Sequence, residues 1–336
     1  DEPDLGSSLQ LLAEITETDN LVKPRKIVGL TAYSQAADRA ESTFRDSTWT
    51  LLETSEISDD WLETIGRCVD YVSAEIAHVE EVQHGCDLLV LTALPSELDA
   101  VHRLPWNWEP AEPADDTNFA TRGHFVVDGR RFSVVSAHAD RMGMVSTAVL
   151  ASKLIAIYRP KICGMPGICA GVPSRAALGD VIFADIAWDY QSGKFVVDKE
   201  LVSGFEMEPH QLGVDPAILN RVEQLSKETA SLNLIWNEWP ASKPANPFKI
   251  LRGPMASGSA VLADAAITGK ILAQNRKTRA IVMEAYGAKP MPLSFIAKSV
   301  CYFADEAKSD DYQAYCCHVS AASMRIFVER YIGSLC

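Results

Sequence analysis

The chain has 336 residues, 47% hydrophobic and 23% charged, and its 31 Lys and Arg against 45 Asp and Glu give a formal net charge of −14. That length suits about two domains with a substantial core, and the balance of residue types is that of an ordinary globular protein. So acidic a surface repels phosphate backbones, which argues against duplex DNA or RNA as a partner but leaves room for one nucleotide in a locally positive pocket.

No apolar run approaches the roughly 18 residues of a membrane span, and no secretory signal is legible at Asp1, so no membrane association is expected. The eight cysteines form no C-x-x-C pair, and Cys163, Cys169 and Cys301 stand in apolar surroundings as small core residues. A cytoplasmic protein with reduced thiols is expected. The seven histidines are scattered without ligand spacing, so neither a metal nor another cofactor is predicted.

In chain order, Ser7-Ser8 are placed to cap a helix over Leu9–Ile15, and Pro24 precedes a strand at Lys26–Thr31. A helix at Gln35–Phe44, a strand at Trp49–Leu52 and a helix from Trp61 to about Ile76 follow, the last with Trp61, Ile65, Val69 and Val72 on one face. Two parallel strands cannot bury both faces of a sheet, so residues 1–77 read as the back part of a larger domain. They resemble the C-terminal part of a response-regulator receiver, in which a Thr ends the fourth strand where Thr31-Ala32 stands. The phosphate-accepting aspartate of that family would lie upstream of Asp1, and its fifth-strand lysine is not evident because Glu53-Thr54 follow Leu52. Thr31 reads equally well as an ordinary strand-end hydroxyl. A complete receiver would imply a histidine kinase partner, and an unpaired sheet edge would favour a homo-oligomer.

Residues 78–86, mostly polar over His78–Gly85, form the linker to a second domain at 87–333. Asp87–Ala93 is a short apolar run of the kind found in central parallel strands, and Pro95 fits the first turn of the helix that follows. Glu97 in that turn favours a helix N-terminus through the dipole. Leu104–Asn118, with Trp106 and Trp108, is either a lid or a packed surface loop, and Phe119–Val127 and Phe132–Ala137 form a hairpin over Asp128-Gly129-Arg130. Arg141-Met142-Gly143 lead into an apolar helix at Met144–Tyr158, whose free N–H groups suit an anion beside Arg141. Next comes Ile162–Val172, a strand with Gly167 and Gly171 placed for close backbone approach, then Leu178-Gly179-Asp180-Val181 into another strand. Pro216–Thr229 is an amphipathic helix, Trp236–Pro247 a loop, Ile250–Leu262 a strand and its exit, and Asp264–Gln274 a helix. Ala280–Gly287 is then a strand ending in Met283-Glu284, where open α/β sheets place ligand-binding groups. The strand from Phe295 and a helix running to Tyr331 from a cap at Asp310-Asp311 complete the chain.

These motifs, in this order, resemble the nucleoside phosphorylase/nucleosidase superfamily, which includes the methylthioadenosine/S-adenosylhomocysteine nucleosidases. The resemblance implies an α/β, three-layer phosphorylase-type fold with a central mixed sheet, here preceded by the partial receiver-like segment. It makes Glu97 the residue that activates the attacking water and Glu284 the one that holds the ribose hydroxyls. Met283 would pack under the sugar, Val261 and Leu262 would wall the base, and Met142, Gly143, Gly167 and Ile168 would flank base and sugar. The family carries an aspartate for the purine N7 at the place of Tyr302, and a phenol is the weaker acid. Relatives also run a longer helix after the Met-Glu pair, where Pro290 and Pro292 stand here. The implied reaction is hydrolysis of a purine nucleoside or nucleotide through an oxocarbenium-like state; the alternative is a nucleotide-binding module with weakened chemistry. A phosphorylase-type domain joined to a receiver further resembles two-component antiphage effectors, implying ATP as substrate and Arg141, Arg175 and Lys298 as phosphate contacts.

Overall fold

The computed structural model describes residues 10–15, 26–33, 37–38, 40–41, 44–45, 49–54, 60–79, 85–197, 203–208, 210–289, 291, 293–305 and 311–335. The chain divides into two units, residues 1–82 and 83–336. In the first, β1 (Val28–Thr31) and β2 (Thr50–Glu53) pair in parallel, with Val28 opposite Thr50. Phe44 lies across β1 so closely that a Cβ on Gly29 would stand 2.6 Å from its ring. With Leu12 and Ala40, Phe44 packs against Ile27, Trp49 and Leu51. The Thr31 hydroxyl accepts a hydrogen bond from the Tyr33 N–H at 3.1 Å, an ordinary strand-end role. In helix α1 (Asp60–Val79), Trp61, Ile65 and Val72 are half-buried, but Val69 is 58% exposed. At 3.6 residues per turn Val69 sits about 80° around the helix from Trp61, at the margin of the covered face. Residues 10–15 are helical, as are 37–38, 40–41 and 44–45; the cap assigned to Ser7-Ser8 and the rest of the 35–44 helix lie outside the described residues.

The second unit is built on β3 (Cys86–Thr92), whose side chains alternate between two cores. Leu88 and Val90 face the cluster that holds Ala100 and Val101 of α2 (Pro95–His102), whereas Leu89 and Leu91 meet Leu150 and Leu154. Burial on both faces is what a continuous apolar strand predicts. A two-residue strand β4 (Glu112–Pro113) borders the hairpin of β5 (Phe119–Val127) and β6 (Arg130–His138). That hairpin turns on Asp128 and Gly129 with φ of 48° and 78°, as its tight right-twisted geometry requires. Helix α3 (Met144–Tyr158) ends on Arg159 in the left-handed conformation before Pro160.

The chain continues through β7 (Pro160–Gly171), β8 (Val181–Asp189), the hairpin of β9 (Gly193–Val197) and β10 (Ser203–Met207), and β11 (Gln211–Gly213). Asp215 caps α4 (Pro216–Leu225), and α5 (Thr229–Glu238) occupies ground where the sequence suggested the end of one helix and a loop. Leu232 and Ile235, three residues apart, give α5 a buried face, and Lys243 donates to the Trp236 and Trp239 carbonyls at its end. β12 (Ile250–Ser257), α6 (Ala265–Gln274, capped by Asp264), β13 (Ala280–Val282), β14 (Ser294–Phe303) and α7 (Gln313–Leu335) complete the unit. Asp311 lies in the turn before α7; Asp310, the other residue of its expected cap, is outside the described residues.

The mixed sheet runs β11-β8-β12-β13-β7-β3-β6-β5-β4, and β14 pairs with both β7 and β8. Strands β7, β13, β12, β8 and β14 therefore close into a ring, filled by Met165, Ile182, Met255, Ile296 and Val300. Helix α3 covers one face of the sheet, and α7 packs on β7 and β14 from the other. Trp106 is fully buried against Phe125 and donates its indole N–H to Glu329 at 2.8 Å, so the start of the Leu104–Asn118 segment is packed on the core. Among the described residues no helix is long and apolar enough to cross a membrane, and no group of three metal-ligating side chains occurs. Phe327 of α7 is buried against Phe183, Phe295 and Tyr331. Truncation by Phe327→Ala should cost about 3–5 kcal/mol in a urea titration of the whole chain, the usual cost of such a cavity.

Candidate active site

Glu97 stands three residues into α2 and folds back over the helix start. Its Oε2 accepts from the Ala93 and Leu94 N–H groups at 2.8 and 3.1 Å. Its Oε1 accepts from the Ile168 N–H at 2.8 Å and from Lys298 Nζ at 3.1 Å. Four donors occupy all the lone-pair positions of the carboxylate. Glu97 is 2% exposed.

Glu284 leaves the end of β13 with 5% exposure, and its Oε2 lies 3.9 Å from the same Lys298 Nζ. The backbone of Gly143 and of Met283 also favours the ionised form of its carboxyl. Gly143 has φ of 125°, a conformation that favours glycine. Burial pushes the Glu284 carboxyl above its ordinary range, Lys298 pulls it back and Glu97 adds to the rise; the net direction is up. Lys298, fully buried in β14, is pulled down by burial, but Glu97 and Glu284 outweigh that and raise it, so the ammonium is retained.

Gly167 of β7 pairs with Lys298 and has φ of 144°; a Cβ there would overlap the Glu97 carboxylate and the Lys298 ammonium. Its N–H donates to Ser320 Oγ at 2.7 Å, and that hydroxyl donates to the Ala297 carbonyl at 2.8 Å, tying β7 to α7 and β14. Gly171, expected to approach a ligand, instead makes room for Val300. The turn after Glu284 closes with an Ala288 N–H bond to the Glu284 carbonyl, and Tyr286 N–H donates to Ser257 Oγ. A single turn thus suffices here, and Glu284 keeps its place beside Lys298.

Glu97, Met142, Ile168, Val261, Leu262, Met283, Glu284 and Tyr302 all line one cavity of about 60 Å³, with Gly143 and Gly167 directly behind the carboxylates. Tyr302 enters because β14 bulges at Cys301: Val300 pairs with Cys169 and Tyr302 with Ala170, so one residue is extra. Arg141 is exposed and stands outside the lining. The other two phosphate candidates are used elsewhere. Lys298 is committed to the buried carboxylates, and Arg175 donates to the Thr278 carbonyl at 2.8 Å.

No family model matches the chain. It is 28% identical over 349 residues to the protein y4jS of Sinorhizobium fredii, covering 98% of this chain and 84% of that one. It is 24% identical over 264 residues to the ATP nucleosidase Cap17 of Escherichia coli, covering 73% of this chain and 51% of Cap17, so it spans about half that protein's length. Among solved structures, the Helicobacter pylori 5'-methylthioadenosine/S-adenosylhomocysteine nucleosidase superposes with a TM-score of 0.57 at 14% identity, over 73% of this chain and 99% of that one. The futalosine hydrolase of the same organism gives 0.57 at 13% identity, over 73% and 98%. The chain has the nucleosidase fold. Within that nucleosidase fold, the role of Lys298 was the main feature sequence reasoning missed. A lysine inside the apolar run Phe295-Ile296-Ala297-Lys298-Ser299-Val300 is its signal, because a fully buried ammonium needs carboxylate partners.

Removing that ammonium isolates two buried carboxylates. Lys298→Met should cost about 3–5 kcal/mol near neutral pH, as breaking a buried pair does. The sign of the pH dependence follows from Glu284. With its folded pKa raised above the ordinary 4.5, its contribution is present below that value and lost as pH rises toward the folded one. Without Lys298 the folded value climbs further, so the deficit against wild type should be small at about pH 5 and grow toward pH 8 in paired urea melts. A deficit independent of pH would contradict the pairing.

Proposed function

We propose that this protein hydrolyses the N-glycosidic bond of a purine nucleoside or nucleotide. The observation that carries the reading is the convergence of Glu97 and Glu284, 187 positions apart in the chain, on one buried lysine at the wall of one cavity. Water attacks the anomeric carbon, Glu97 takes its proton, and the electrons of the C–N bond leave with the base. Glu284 holds the ribose hydroxyls, and its negative charge stabilises the cationic sugar of the transition state. Met283 packs under the sugar, Ile168 beside it, and Val261 and Leu262 against the base. Tyr302 donates to the departing purine.

Lys298 gives this scheme its gate. All four lone-pair positions of Glu97 are filled, so a proton is accepted only as one donor withdraws. The ammonium, 3.1 Å from Glu97 and 3.9 Å from Glu284, has a second acceptor to move toward. The water-activating place of Glu97 favours hydrolysis over phosphorolysis. Likeness to a protein named an ATP nucleosidase supports ATP as substrate, with Arg141 on the phosphate side, and a bacterial signalling or antiphage role in the cytoplasm. The parallel β1–β2 pair and α1 suit an input segment of the receiver kind, with a histidine kinase upstream and self-association as its output.

A second reading, a nucleotide-binding module without turnover, is favoured by the phenol of Tyr302 in place of a carboxyl and by the saturated Glu97. Incubation with ATP, adenosine and methylthioadenosine, followed by chromatography for free adenine, separates the two. Hydrolysis predicts adenine from at least one substrate and its loss in Glu97→Gln; release unaffected by that change would overturn the assignment. Tyr302→Asp should raise release by at most about 10²–10⁴-fold, the scale of general acid catalysis. A fall on that substitution would remove Tyr302 from the leaving-group position. Ligand binding with no adenine from any variant supports the second reading.

A further inference from the structure

The second unit has a further opening, much larger than the cleft that holds the carboxylates. Between the β9–β10 hairpin and α6 lies a cavity of about 850 Å³, against about 60 Å³ at Glu97 and Glu284. That is the size of a small-molecule site. Phe195 and Phe205 face each other across the hairpin with ring centroids 4.9 Å apart, and Phe195 is 83% exposed. Tyr190, Met207 and Ile271 continue the apolar wall, and Lys270 is the only charged residue among the described residues that line it. Aromatic faces beside one cation suit a flat ring carrying a negative group.

The wall of this cavity is also the support of the active-site cleft. Tyr190 is 6% exposed, and its hydroxyl is buried with no hydrogen-bond partner among the described residues. Its ring lies over Gly258, where any side chain would collide with it. Tyr190 N–H donates to the Ser257 carbonyl at 3.1 Å, and Ser259 N–H donates to Gln191 Oε1 at 2.7 Å. Gly258 N–H in turn donates to the Val282 carbonyl, one residue before Met283-Glu284. The next residues, Ala260, Val261 and Leu262, line the cleft, and Leu262 shares an apolar cluster with Tyr190 and Ile271, on which Tyr302 packs.

We propose that this cavity is a second ligand site, taking a planar aromatic anion, and that its occupancy sets the position of the Gly258–Leu262 wall of the active-site cleft. A ligand against Tyr190 and Gln191 bears directly on the two side chains that hold that segment. The Tyr190 hydroxyl has no partner among the described residues in the present arrangement, so a ligand acceptor that reached it would be favoured. The proposal is independent of the reaction assigned to the cleft.

The test uses 8-anilinonaphthalene-1-sulfonate, an aromatic anion, with the full chain, and the variants below report which cavity holds it. Fluorescence titration should show saturable binding. Lys270→Glu should weaken it about tenfold, one charge-assisted contact's worth, and Phe205→Ala by a similar factor. Val145→Ser, which removes a side chain 76% exposed on α3, should leave the affinity unchanged. Hydrogen exchange with bound probe should slow in β9–β10, in α6 and in residues 258–264. Absence of saturable binding, or binding lost in Val145→Ser and kept in Lys270→Glu, overturns the site. Protection of the hairpin and α6 with residues 258–264 unchanged overturns the coupling.

Discussion

A single ammonium held between two carboxylates organises this molecule. Lys298 is fully buried, 3.1 Å from Glu97 and 3.9 Å from Glu284, and each of the three charges would be costly alone. Their neighbours exist to make the arrangement tolerable. Backbone N–H groups from Ala93, Leu94 and Ile168 fill the remaining positions on Glu97, and Gly167 has no Cβ because the ion pair occupies that space. With both carboxylates ionised, the trio carries one net negative charge, which favours a positive centre at the cavity wall.

The closed ring of β7, β13, β12, β8 and β14 is what brings these charges together. Glu97 enters from α2 beside β3, Lys298 rides on β14, and Glu284 follows β13, a strand of three residues. The ring interior is apolar, so only paired charge is stable there. A bulge at Cys301 breaks the strict alternation of β14 just where Tyr302 must enter the cavity.

Much of this was written in local sequence. β3 is an uninterrupted apolar run, Asp128-Gly129 marks a hairpin, and Pro95, Gly143 and Pro160 punctuate helices at their ends. The Met283-Glu284 pair at a strand end and Glu97 in a helix's first turn pointed to the cleft through their resemblance to the nucleosidases. What was hidden depends on partners far away in the chain. Lys298 reads as a phosphate contact until Glu97, 201 residues earlier, is seen beside it. α5 was obscured because its buried pair, Leu232 and Ile235, is short and followed by the tryptophan- and proline-rich stretch whose Lys243 closes the helix. The cavity beneath the β9–β10 hairpin has no motif at all, since it arises from the packing of that hairpin on α6.

We propose that the Glu97–Lys298–Glu284 trio stabilises a cationic sugar. Calorimetric comparison of adenosine with an adenine-bearing aza-sugar, protonated where the oxocarbenium charge develops, tests it most directly. The cation should bind at least about 10²-fold more tightly, the lower end of what transition-state mimics achieve, and Glu284→Gln should remove most of that preference. Equal affinity for the two compounds, or a preference that survives Glu284→Gln, would contradict it.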